Sequence, residues 1–183
     1  MKRNFVRTFI TILLVGFVLF VVGCSSNTET EPQDENITTI KTVLEHSFTG
    51  PEQELIEMWN DIHSDENEME EIESAIGALN SYTSEKFKPY FTEEGYSSFI
   101  SSFGFTFLDY AYRNGYQLKL NSFEVETSEV KDNIYNFSLE VQYQKEDSAE
   151  QVVNVTGEAN INEDGFISKM LIRGNELVEA LEQ

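Results

Sequence analysis

Apolar residues recur at steps of three and four through the first half of the chain and at steps of two through the second half. Ile40, Val43, Leu44 and Phe48 fall on one helical face, which ends at Thr49-Gly50-Pro51. Pro51 suits the opening of a second helix, because an N–H there would lack an intrahelical partner, and Leu55, Met58, Trp59 and Ile62 continue the spacing. Beyond a polar break at residues 63–65, Met69, Ile72, Ile76 and Leu79 predict a third helix whose inner face they form. Thr92 fits an N-cap, with Glu93 and Glu94 in the first turn where acids are favoured. Phe99, Ile100, Phe103, Phe107, Leu108 and Tyr110 then carry an apolar stripe toward Arg113-Asn114-Gly115, with a break expected near Gly104.

From Tyr116 the pattern alternates. Leu118 and Leu120, then Phe123 and Val125, predict a strand whose inner face changes parity at a bulge near Asn121-Ser122. Tyr135, Phe137, Leu139, Val141 and Tyr143 form a second strand, and Val153, Val155, Gly157, Ala159 and Ile161 a third. Asp164-Gly165 makes a tight turn into a fourth strand over residues 166–173, and Leu177, Val178 and Leu181 suit a short closing helix. The expected fold class is α+β: N-terminal helices packed on one face of a curved, antiparallel, four-stranded meander.

The amino-terminus follows neither pattern. Lys2, Arg3 and Arg7 precede an apolar run over residues 9–22, which closes at Val21-Val22-Gly23-Cys24. This tetrapeptide resembles the bacterial lipoprotein signal, or lipobox. The resemblance implies cleavage between Gly23 and Cys24, acylation of Cys24 through its sulfur, and retention by a lipid anchor at the outer face of the cell membrane. The expected organisation is a signal peptide over residues 1–23, an acylated cysteine and polar tether over 24–38, and one α+β domain over 39–183. Residues 25–38 are acidic and nearly free of large apolar groups, so burial offers little to offset the entropy of ordering them.

Composition sharpens this picture. Cys24 is the only cysteine, so no disulfide can form within the domain. The 183 residues carry 33 acids against 12 Lys and Arg, a formal charge of −21, and removing the first 23 residues would take away three bases and no acid. Such a field repels nucleic acid, whose binding relies on Lys and Arg displacing counterions, and repels anionic headgroups, so the membrane partner is expected only through the lipid on Cys24. Residues 52–73 hold ten acids and no Lys or Arg, consistent with weak divalent-cation association. Within them Asp61, His63, Asp65 and Asn67 alternate like calcium ligands. Glu66 replaces the glycine of the bend, however, and Ile72 stands where a bidentate carboxylate is needed, so no defined metal site is expected.

Helices followed by a four-stranded meander, with the hairpin segment from Gly157 through Asp164-Gly165 to Ile167, resemble the nuclear transport factor 2-like, or cystatin-like, cone. Phe48-Thr49-Gly50-Pro51 and the segment from Tyr90 to Tyr96 are similar to uncharacterised lipoproteins of Gram-positive bacteria. The resemblance implies a pocket between concave sheet and helices, but not one activity, because such cones serve enzymes, binders and scaffolds alike.

The chain has no Gly-x-Ser-x-Gly elbow, no phosphate-binding glycine loop and no Cys-x-x-Cys. Its two histidines, His46 and His63, lack the spacing of a nucleophile and an orienting acid. Asp109, set between Leu108 and Tyr110, would be the acid or base of an enzymatic reading, and its other expected role is a pair with Arg113 one turn on. The aromatic residues either fill the core or line a cavity, and Phe103, Phe107, Asp109, Tyr110, Tyr135 and Phe137 mark where such a pocket would lie. The expected function is a non-catalytic, lipid-anchored binding or interaction domain outside the cytoplasm, with a surface protein or small apolar ligand as partner and no cofactor. The alternatives are a cone-fold enzyme of isomerase or dehydratase type, or an apolar-ligand binder using an internal pocket.

Overall fold

The computed structural model describes residues 35–183. Gly23, Cys24 and the lipobox lie outside the described residues. Helices α1 (Glu35–Phe48), α2 (Gln53–His63), α3 (Met69–Phe87), α4 (Glu93–Ser102) and α5 (Thr106–Asn114) come first. They are followed by β1 (Tyr116–Thr127), β2 (Ile134–Lys145), β3 (Gln151–Ile161) and β4 (Ile167–Arg173), and by a closing helix α6 (Asn175–Leu181). The strands run antiparallel in the order β1-β2-β3-β4. The domain is therefore α+β, with helices packed on one face of a curved four-stranded meander.

Alternation explains the sheet. On β2, Tyr135, Phe137, Leu139, Val141 and Tyr143 are buried, while the intervening Asn136, Ser138 and Glu140 face solvent. β1 is bulged as its pattern predicts. Leu120 pairs with Val141 and Ser122 with Glu140, so Asn121 is the extra residue that returns Phe123 and Val125 to the inner face.

α1 lies at the centre of the helical layer, with Ile40, Val43, Leu44 and Phe48 fully buried. It begins at Glu35, inside the segment expected to be a tether. Ile37 packs against the core and Asn36 Nδ2 donates to Tyr135 Oη at 2.8 Å, so these residues gain contacts that offset the loss of freedom. The α1–α2 connection is tied to the sheet edge: Gly50 N–H donates to the Leu118 carbonyl at 3.0 Å, and Leu118 N–H returns a bond of 2.7 Å. The expected break separates α4 from α5, where Gly104 takes a φ of 36°. Thr92 caps α4 by accepting from Gly95 N–H at 3.1 Å. Gly95 in turn lets α4 approach β4, since a Cβ there would come within 2.5 Å of the Ile167 carbonyl oxygen.

α3 buries only part of its predicted face: Ile72 and Leu79 are half-buried, and Leu79 packs against the core. Met69 is 71% exposed and Ile76 44%, whereas Ala75, Thr83 and Phe87 are buried. The start of α3 packs beside α2, and its second half reaches the main core through Leu79, Tyr82 and Phe87. Met69 and Ile76 share the face of Phe87 by helical spacing, but the start of α3 extends past the main core along α2, so that face finds no cover there.

Candidate functional site

The residues marked for an internal pocket are placed mostly as core. Phe107 is 4% exposed and stacks on Phe48 with ring centroids 4.6 Å apart. Tyr135 and Phe137 are buried on β2, the ring of Phe137 lying over Gly157 of β3. Phe103 and Tyr110 are partly buried against the core, Phe103 at the end of α4, 6.1 Å from Phe99. Asp109 points to the helix surface, where Arg113 Nε donates to its carboxylate at 3.0 Å. This is the pair with Arg113 that the i,i+4 spacing allowed.

The possible metal ligands on the α2–α3 connection are engaged locally. His63 Nδ1 donates to the Trp59 carbonyl at 2.7 Å, and Asn67 Nδ2 to the Asp61 carbonyl at 3.0 Å. Among the described residues no group of three or more His, Cys, Asp or Glu is placed to hold a metal ion. The concavity beside this connection, ≈ 690 Å³, is lined by Asp61, Glu68, Glu70 and Glu71 without a base.

A different cleft gathers perturbed ionisable groups. It has a volume of ≈ 370 Å³ and lies among α1, α2, α3 and β1, with Leu55, Leu108, Phe105 and Leu120 as apolar wall. Glu52, ahead of α2, meets two residues of α3. Tyr82 Oη donates to its Oε2 at 2.8 Å, and Lys86 Nζ lies 3.3 Å from both carboxylate oxygens. Lys86 also sits 5.1 Å from the centroid of the Tyr82 ring, close enough for a cation–π contact. The i,i+4 spacing of Tyr82 and Lys86 puts both on the helix face turned to Glu52. His46 of α1 completes the group, half-buried with its ring edge-on to Phe87 at 6.0 Å.

His46, Glu52 and Tyr82 are each held in their resting form at neutral pH. Burial, reinforced by the Lys86 ammonium, keeps His46 below its ordinary 6.5, against the pull of Glu52 and Glu45. The Tyr82 hydrogen bond, with Lys86 beside it, holds the Glu52 carboxyl below the usual 4.5 although burial opposes this. Burial and the Glu52 carboxylate push the Tyr82 phenol above its ordinary 10. At pH 7 His46 is thus a neutral imidazole, Glu52 a carboxylate and Tyr82 a neutral phenol.

These shifts set a pH dependence. Because folded His46 resists the proton that the unfolded chain accepts, stability falls as pH drops below 6.5 and stops falling below the folded pKa. Glu52 contributes stability that is present above 4.5 and lost as pH falls through its lower folded value. Tyr82 acts at the other end, favouring the fold until pH exceeds 10. The His46 part is checked by comparing thermal midpoints of wild type and His46→Gln between about pH 7.5 and 5, where histidine titrates. The variant is expected to show the flatter profile, and parallel profiles would refute this origin.

Sequence reasoning missed this cleft. Glu52 and Tyr82 stand 30 residues apart, and only the α2–α3 hairpin brings them together. The one available signal was the Tyr82/Lys86 pair on a polar helical face.

The fold and the cleft define a class: a helix-over-meander α+β domain with a filled aromatic interior and a charge-paired surface cleft. Comparison with protein-family models, curated proteins and solved structures gave no significant match.

Proposed function

We propose that this protein is a lipid-anchored extracytoplasmic domain that works by binding at its surface and performs no covalent chemistry. The anchor rests on Val21-Val22-Gly23-Cys24 behind a basic and then apolar leader. Among the described residues no helix is long and apolar enough to cross a membrane. The observation that carries the binding reading is the use of the aromatic interior as core. Phe107 packs on Phe48, and Phe87 lies 5.3 Å from Phe99 and 5.0 Å from Phe105. Asp109, the acid of the enzymatic reading, is paired with Arg113 at the surface. The order of helices and strands also supports membership of the nuclear transport factor 2-like cones, in a version whose interior is packed.

Cys24→Ser tests the anchor. In a bacterial host the wild-type chain is expected to be shortened by its leader, to gain acyl mass and to fractionate with membranes. The variant should keep its leader and lack the acyl mass. Equal masses and equal partitioning of the two would overturn the lipoprotein reading.

A further inference from the structure

We infer that the cleft between α1, α3 and β1 is a binding site for a small monocarboxylate with an apolar body. The inference deepens the surface-binding reading and rests on it. Its basis is the hydrogen-bonding and charge capacity left after the cleft's internal pairs are made. Glu52 is taken by Tyr82 and Lys86, and Glu45 lies 3.7 Å from Lys41. Lys119 makes no ion pair among the described residues, and the residue opposite it on β2 is the uncharged Gln142. The charge remaining at the mouth is therefore one ammonium, in a chain whose formal charge is −21.

Donor capacity also remains on the lysine side of the cleft. Lys86 has three N–H groups and shares them with two carboxylate oxygens of one residue. Neutral His46 offers one N–H and one bare ring nitrogen. A carboxylate would accept from Lys119 and from these neighbours, in the charge-assisted bonds that are stronger than neutral ones. A cationic ligand would instead meet Lys86 and Lys119 with no free acid. Leu55 and Leu108 form an apolar floor and Phe105 a ring wall, so the rest of the ligand should be hydrocarbon or aromatic. A volume of ≈ 370 Å³ is near the lower end of small-molecule sites, about 300–1,000 Å³, which sets the ligand at metabolite size.

The test uses the full chain in lipid nanodiscs, with empty nanodiscs as blank, and saturation-transfer NMR of three probes: phenylacetate, phenylacetamide and 2-phenylethylamine. The expected result is binding of phenylacetate at about millimolar concentration, with the amide weaker and the amine absent. Lys119→Gln should weaken phenylacetate about three- to fivefold, the range for a partly exposed charge contact, while Glu124→Gln on the same strand leaves it unchanged. Equal binding of all three probes, no binding of phenylacetate, or full binding by Lys119→Gln would each overturn the proposal. Any of these with normal acylation and membrane partitioning removes the ligand assignment alone. Loss of the anchor in the Cys24 experiment removes the wider reading whatever the probes do.

Discussion

Phe107→Ala is expected to destabilise the domain by about 3–5 kcal/mol, the range for deleting a buried aromatic ring. The ring is 4% exposed and stacks on Phe48. It also lies against Gly174, where a Cβ would approach its Cε1 to 2.5 Å. Truncation would therefore open a void bounded by α1, α5 and the start of α6, none of which can close on it without unseating its own contacts. For a domain of this size the thermal midpoint should fall on the order of 10 °C. Asp109→Asn, two residues along the same helix, removes only a surface pair with Arg113 and should shift stability by less than about 1 kcal/mol. Calorimetry of both variants decides the matter. A stable Phe107→Ala protein that gained affinity for apolar compounds would mean that the interior is a chamber.

The second large effect comes from adding a single carbon. Gly157 on β3 pairs with Phe137 on β2 and Ile172 on β4, and the Phe137 ring covers it. A Cβ at residue 157 would collide with that ring and with the Leu171 carbonyl oxygen, which belongs to backbone and cannot rotate away. Gly157→Ala is thus an overpacking change in the middle of the sheet, expected to cost about 3 kcal/mol or to prevent folding. Adding Phe137→Leu should recover part of the loss, because one of the two collisions is with a side chain. Urea midpoints for the single and double variants measure this. A wild-type midpoint for Gly157→Ala would mean that β3 and β4 stand further apart than described.

Strands were legible in the sequence because alternation is a local property. Every second residue from Tyr135 to Tyr143 is buried, and the parity change at Asn121 could be read from Leu120 and Phe123 alone. The break at Gly104 and the cap at Thr92 were equally local. The face of α3 was not. Met69, Ile72, Ile76 and Leu79 keep helical spacing and Ile72 and Leu79 are half-buried, yet Met69 and Ile76 stay exposed because the start of α3 runs along α2 past the main core. The cleft was hidden for a related reason: Glu52, Tyr82 and Lys119 lie on three elements, and their meeting depends on rotations that no short window records. Whether aromatics fill a space or surround one is likewise a property of summed volume rather than of pattern.

The meander order has a consequence for a chain that is delivered amino-terminus first. Among the described residues, five helices of the covering layer precede residue 116, where the first strand begins, and only the short closing helix follows the sheet. Ile40, Val43, Leu44 and Phe48 therefore lack their sheet-side cover until the strands arrive. Once present, that sheet forms through neighbour-to-neighbour hairpins with short loop closures, which are fast. Maturation is then timed by emergence of the carboxyl-terminal third, and the span before it is when the nascent protein is most exposed to proteases and to its own aggregation.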